Sequence, residues 1–202
     1  MLSESIKESL REDFNKSLKD NVEVVFRRAN NDLSKKVETL LKEVSSLSDK
    51  IKLTISDKLN CYDYPCISFK KEDKEIGIKY MGNIDGGEFK TFIDSIKLVS
   101  SGEVELEDRT LDFIKEIDKP VNIKVFITLS CGWCPPAVLK CYNFALASDF
   151  IETTAIECFS FPNFANKYSV ITVPKIVIND KEELIGYKTE NEILGAILSS
   201  IS

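Results

Sequence analysis

The sequence predicts an α/β fold built twice in tandem, each copy a mixed central sheet flanked by helices. Three observations predict it. Amphipathic helical periods alternate with short β-branched runs along the chain. The order of these segments in the first half recurs in the second. Each half also carries an X-Pro step ahead of a strand, Tyr64-Pro65 and Val173-Pro174, at matching places in that order. A chain of 202 residues has room for two units of about 100 residues each.

In the first half, Ile6, Leu10, Phe14 and Leu18 recur at helical spacing. A polar break, Lys19-Asp20-Asn21, precedes a strand over 22–26. A second helix runs from near Asp32 through Val37, Leu41, Val44 and Leu47, and a strand follows over 51–55. After Tyr64-Pro65 come two strands turning at Glu72-Asp73-Lys74, then a helix over 88–98. The second half repeats this. Leu106, Thr110, Phe113, Ile114 and Ile117 mark a helix, and Asp118-Lys119-Pro120 breaks it before a strand over 121–126. A long helix carries Val138, Tyr142, Ala145 and Leu146, and a strand over 151–156 follows. After Val173-Pro174 a hairpin turns at Asn179-Asp180, a good turn pair. The last helix spans 189–201, with Ile193, Leu194, Ile197, Leu198 and Ile201 on one stripe. The unit is α-β-α-β-(α)-β-β-α, with helices expected on both sheet faces. Ser100-Ser101-Gly102 is the joint, dividing the chain into 1–101 and 102–202.

Composition narrows the function. Hydrophobic residues at 43% and charged residues at 30% describe an ordinary soluble globular chain with a real core. A net charge of −6 without a Lys/Arg cluster argues against nucleic acid. The apolar runs fall short of the ~18–20 residues of a membrane span. Residues 1–8 lack a basic stretch followed by an apolar one, so no signal peptide is read and a cytoplasmic protein is expected. Six cysteines in that setting point to redox or metal chemistry. The absence of histidine excludes Cys/His zinc sites, Ser-His-Asp triads and any imidazole base.

Cys131-Gly132-Trp133-Cys134 lies between the apolar run 125–129 and the long helix. A lone CxxC fits half of a zinc site, a core pair or a redox dithiol. No second CxxC exists for zinc, and Val173-Pro174 lies downstream. A dithiol between strand and helix, with a distant Val-Pro, is how thioredoxin-like folds build a thiol–disulfide exchange site. Residues 102–202 therefore read as a thioredoxin-like unit with a redox-active dithiol. Residues 1–101 read as one without it, because Asn30-Asn31-Asp32-Leu33 occupies the matching position. A helix N-terminus favours an anion. Cys131 is accordingly expected as the nucleophile with a depressed pKa, and Cys134, one helical turn in, as the resolving thiol.

Gly132 permits close approach of a partner backbone, and Trp133 offers it a flat apolar face. Pro135 and Pro136 fit a first helical turn. Val173-Pro174 is expected to be cis, exposing the Val173 backbone to substrate and keeping metal off the thiols. Glu157 reads either as a solvated strand end or as a carboxylate that shuttles the proton of Cys134. Lys124 reads either as an electrostatic contributor on the strand leading in or as a residue without a part in the chemistry. Cys61 and Cys66 read as ordinary loop and strand cysteines, with metal ligation or a local disulfide as alternatives. Cys141 and Cys158 read as core residues, with a backup redox thiol as the alternative for either.

The dithiol and its Pro-Pro-Ala-Val continuation, Phe161-Pro162-Asn163-Phe164-Ala165-Asn166-Lys167-Tyr168 and Val173-Pro174-Lys175-Ile176-Val177-Ile178 resemble the glutaredoxin-like protein disulfide oxidoreductases of thermophiles. Ile76-Gly77-Ile78-Lys79-Tyr80-Met81-Gly82 and Gly86-Gly87-Glu88-Phe89 extend the resemblance into the first half. The chain is also similar to the N-terminal domain of alkyl hydroperoxide reductase flavoproteins, without the flavin and nucleotide domains that follow there. The Gly-Trp spacer differs from the Pro-Tyr and His-Asn types associated with these families.

The resulting expectation is a protein disulfide oxidoreductase working through a mixed disulfide. It needs no cofactor beyond the Cys131–Cys134 disulfide and no metal. Its partners are protein disulfides and, as the resemblance implies, a thioredoxin-reductase-like flavoprotein. The alternatives are a dedicated electron carrier to a peroxiredoxin, a chaperone-like groove, or a module holding an iron–sulfur cluster between subunits.

Overall fold

Three helix starts in this chain are marked by side chains that satisfy otherwise free N–H groups. In the computed structural model, which describes residues 2–202, Ser3 caps α1 (Glu4–Ser17) by accepting from the Ile6 N–H at 3.3 Å. Asn31 caps α2 (Asp32–Ser45) through Oδ1, which accepts from the Ser34 N–H at 2.8 Å. Thr189 and Glu192 form a reciprocal capping box on α7 (Glu190–Ile201). Between α1 and α2 lies β1 (Val22–Arg27). Then come β2 (Ile51–Ile55), β3 (Cys66–Lys71), β4 (Lys74–Met81) and α3 (Gly87–Ser101). The second half runs α4 (Asp108–Lys115), β5 (Val121–Ile127), α5 (Cys134–Ala147), β6 (Ile151–Glu157), α6 (Pro162–Lys167), β7 (Lys175–Ile178) and β8 (Glu182–Ile185), then α7. The repeated order is present, except that the bracketed helix occurs only in the second half, as α6. Its counterpart in the first half is the loop 56–65.

The sequence suggests one sheet per half, and the structure joins them. A single mixed sheet of eight strands runs β2-β1-β3-β4-β6-β5-β7-β8. The seam is the parallel pair β4–β6, with Ile78 opposite Thr153 and Met81 opposite Ile156. Each of these strands would otherwise be an edge with a row of free N–H and C=O groups, and pairing them removes both edges. Gly77 permits the approach, because a Cβ there would collide with the Ile151 carbonyl oxygen.

Strand alternation divides the apolar residues between two faces. Val24, Phe26, Ile67, Tyr80, Ala155, Val125 and Ile176 lie on the main face, in one core with residues of α1, α2, α3, α4, α5 and α7. Val25, Cys66, Met81, Ile156, Phe126 and Val177 point the other way, under Leu59 of the 56–65 loop and Phe161 beside α6. The expectation of helices on both faces therefore holds only for the second half among the described residues. The rest of the second face carries ion pairs, such as Lys79–Glu152 at 2.5 Å.

Gly77→Ala is expected to lower stability by about 1–3 kcal/mol through overpacking at the seam, measured by urea denaturation. An unchanged midpoint would show that the seam relaxes without cost.

Candidate active site

Strand β5 is buried along its length except at Asn122. It delivers the chain to a tight turn. There the Cys131 N–H donates to the Thr128 carbonyl at 3.1 Å, and the Cys134 N–H donates to the Cys131 carbonyl at 3.4 Å. The helix α5 begins at Cys134, with Pro135 and Pro136 in its first turn. The sequence reading sets Cys134 one turn inside the helix; instead it is the first helical residue. The turn uses the Cys131 carbonyl, so helical pairing starts with the Ala137 N–H donating to the Trp133 carbonyl at 3.4 Å.

Cys131 and Cys134 are disulfide-bonded, with Cα atoms 5.4 Å apart. Cys134 is fully buried, Cys131 half-buried, and Gly132 is exposed. Trp133 is 66% exposed. Its indole lies 5.7 Å from the ring of Tyr187, a neighbour that no pattern in the sequence singles out. The Val173–Pro174 peptide is cis, and so is Tyr64–Pro65. The Pro174 carbonyl accepts from the Gly186 N–H at 2.8 Å, while the Val173 backbone pairs with no other backbone group among the described residues. Val173 and Cys131 both pack at the margin of the main core.

The carboxylate singled out in sequence, Glu157, is buried rather than solvated. Its oxygens accept from the Phe159 N–H at 3.1 Å, the Ser160 N–H at 2.7 Å and the Ser160 hydroxyl. It holds the turn after β6. Lys124 is also buried, but on the second face. It pairs there with Asp180 at 2.7 Å and lies between the rings of Tyr62 and Tyr168. Cys134 packs in the main core, so Lys124 and the dithiol belong to opposite faces.

A different buried carboxylate lies in the first turn of α3. The first turn of α3 packs on the loop before Cys131. A Cβ on Gly86 would lie 3.2 Å from the Leu129 carbonyl oxygen, and one on Gly87 would lie 3.8 Å from Pro135 Cγ. Glu88, the next residue, has no exposed surface, and neither carboxylate oxygen has a hydrogen-bond partner among the described residues. Burial pushes its carboxyl up to about 7, the nearby Thr91 hydroxyl opposes the rise, and the Glu157 charge adds to it. The phenols of Tyr80 and Tyr142, both raised by burial, also feel the Glu88 charge. Glu88 thus sits in the wall between α3 of the first half and α5 of the second. In sequence, an acid in the first turn of a helix reads as an ordinary complement to the helix dipole, which hides it.

The other cysteines separate by environment. Cys61 and Cys66 are joined by a disulfide, with Cα atoms 6.5 Å apart, which corrects their reading as unpaired loop and strand residues. Cys141 is buried, and burial pushes its thiol up to about 12. Cys158 is only half-buried, and burial raises its thiol to about 11. Neither supplies a thiolate near neutral pH. Among the described residues, no group of three or more Cys, Asp or Glu is arranged to hold a metal ion, and no helix is long and apolar enough to cross a membrane.

Residues 121–199 match the family model described as a thioredoxin domain. Over nearly its whole length the chain is similar to a curated relative and to solved structures. The alkyl hydroperoxide reductase AhpF of Staphylococcus aureus (strain MRSA252) is 26% identical over 200 residues, covering 99% of this chain and 38% of that one. The chain spans about a third of the length of the curated relatives it matches. A protein disulfide oxidoreductase from Aeropyrum pernix K1 superposes with a TM-score of 0.87 at 27% identity, covering 99% of this chain and 94% of that one. The NTD_N/C domain of the alkylhydroperoxide reductase from Enterococcus faecalis V583 shares the fold, with a TM-score of 0.86 at 24% identity, over 98% and 100% of the two chains.

The Glu88 carboxyl gives a pH signature. Its pKa is raised from 4.5 to about 7, so in that window the native state keeps a proton that the unfolded chain has lost. Stability is therefore expected to fall as pH rises through it. Glu88→Gln should match the wild type at pH 4 and exceed it by about 3 kcal/mol at pH 8, measured by urea denaturation. A difference independent of pH would show that the carboxyl does not titrate in this way.

Proposed function

We propose that this chain is a protein disulfide oxidoreductase acting through Cys131 and Cys134. The observation that carries the reading is the asymmetric pair, with Cys131 accessible and Cys134 fully buried at the first residue of α5. The positive end of α5 favours the Cys131 thiolate. Pro135 and Pro136 lack N–H groups, so the helix field acts here with little direct hydrogen bonding from the first turn.

In the reducing direction, the Cys131 thiolate attacks one sulfur of a substrate disulfide. That bond breaks, and one substrate sulfur leaves as thiolate. Cys134 gives its proton to the Glu88 carboxylate and attacks Cys131 in the mixed disulfide. The second substrate thiolate leaves, and the chain holds the Cys131–Cys134 disulfide. Two electrons pass to the substrate, whose sulfurs take up two protons. A carboxyl near 7 is populated in both forms at neutral pH, which suits it to this transfer. Gly132, Trp133, Val173 and Pro174 form the substrate rim in this reading. Trp133, Phe159 at 78% exposure and Ile171 at 95% supply apolar surface suited to a polypeptide.

The likeness to the alkyl hydroperoxide reductase AhpF across 99% of the chain favours a second reading. Here a flavin-dependent reductase of the thioredoxin-reductase kind restores the dithiol, and a peroxiredoxin disulfide is the dedicated acceptor. No resident cofactor or metal is needed in either reading. The working compartment proposed for both is the cytoplasm.

Dithiothreitol-driven insulin reduction tests the first reading. Wild type should accelerate it, Cys131→Ser should not, and Cys134→Ser should accumulate a mixed disulfide visible by mass spectrometry. Folded wild type without activity on insulin, but with rapid reduction of a peroxiredoxin, would favour the dedicated carrier. Glu88→Gln should slow turnover by about 10- to 100-fold, with loss of an apparent pKa near neutrality from the rate profile. An unchanged profile would remove Glu88 from the mechanism.

A further inference from the structure

The loop 56–65 stands where the second half has α6. Residues 60–64 make no hydrogen bond between backbone groups among the described residues. Side chains hold the loop instead. The Arg27 guanidinium donates to the Leu59 carbonyl at 2.8 Å and lies 4.0 Å from the centre of the Tyr64 ring. Leu59 is buried in the second cluster. The Cys61–Cys66 disulfide closes the segment into a small ring.

Tyr62, inside that ring, reaches the second half. It stacks on Phe164 of α6 at 5.5 Å, and its hydroxyl donates to Asn122 Oδ1 at 3.3 Å. Phe164 packs in turn on Tyr168 at 5.1 Å and on Phe126 at 6.0 Å. From Tyr168 only a short stretch leads to Val173 at the substrate rim. A disulfide in one half thus holds a strap that bears on the helix leading to the rim in the other. Its two sulfurs differ in access: Cys66 is fully buried and Cys61 half-buried.

We infer that Cys61–Cys66 is a second thiol–disulfide exchange site, reduced by a dithiol, whose opening releases the strap from α6. A thiolate of the reductant attacks the Cys61 sulfur, the one reached from solvent. The disulfide bond breaks, and Cys66 leaves as a thiolate that takes a proton. The second thiol of the reductant then attacks its own partner sulfur in the mixed disulfide, and Cys61 is released and protonated. Two electrons and two protons pass to the pair, and the reductant leaves as its own disulfide. The open segment lacks backbone bonds of its own, so Tyr62 loses its hold and α6 loses the ring stacked on Phe164. This step does not require Cys131 or Cys134.

The test uses the full chain carrying Cys131→Ser and Cys134→Ser, treated with dithiothreitol and followed by alkylation, circular dichroism and hydrogen exchange. Two new thiols should appear with the secondary structure retained. Amide exchange should quicken by about tenfold or more in both 58–66 and 162–173, and reoxidation should reverse it. Quickening confined to 58–66, a pair that resists reduction in the folded chain, or loss of the whole fold on reduction would each overturn the inference. Cys61→Ser/Cys66→Ser in the wild-type background provides a second route. It should exchange rapidly at 162–173 before any reductant is added, and slow exchange there would equally overturn it.

Discussion

The seam between β4 and β6 is the constraint on which the rest of the molecule depends. Two half-sheets, each ending in an open edge, become one sheet through a parallel pairing in which the missing side chain of Gly77 leaves room for the Ile151 carbonyl. The pairing also fixes the two halves edge to edge. α3 is then pressed against α5, and the main core runs without interruption from Phe14 to Ile197. Burial on this scale is the dominant favourable contribution to folding, and here it is shared between the repeats.

This arrangement gives the half without a CxxC a chemical part in the proposed reaction. The half with the dithiol contributes a buried carboxylate of its own, Glu157, but the turn after β6 occupies it. A second carboxylate, Glu88, comes from the other half and is buried, with the Thr91 hydroxyl near it and the phenols of Tyr80 and Tyr142 within reach of its charge. A buried carboxyl without hydrogen bonds is costly when charged. That cost is what brings its proton affinity close to neutrality. In this reading the repeat has divided the labour, with the exchanging dithiol in one copy and the proton carrier in the other.

The two sheet faces serve different ends. The main face is closed by six helices, and the buried side of the dithiol belongs to it. Among the described residues the second face is closed by the 56–65 loop and the region of α6, and elsewhere it carries ion pairs. Tyr62, Phe164 and Tyr168 bridge the two halves on this face. Fewer buried contacts and few backbone bonds in the loop mean lower local stability there, which is where a movable element belongs.

The periodicities that placed Phe14, Val37, Val138 and Ile193 in helices and Val22–Phe26 in a strand are local, so the order of elements was legible in the sequence. So was the dithiol, because CxxC between a strand and a helix is a short-range pattern, and Val173-Pro174 followed from its place in the repeat. The joining of the sheets was not legible, because an edge strand and a central strand of this composition read alike. Nor was the meeting of Cys61 with Cys66, which required the loop to fold back. Glu88 was the largest omission. Its neighbours in sequence describe a solvated helix start, and only the packing of one half against the other removes it from water. Local chemistry is written in the spacing of residues; the burial of a charge depends on what the rest of the chain sets against it, and only the tertiary structure decides that.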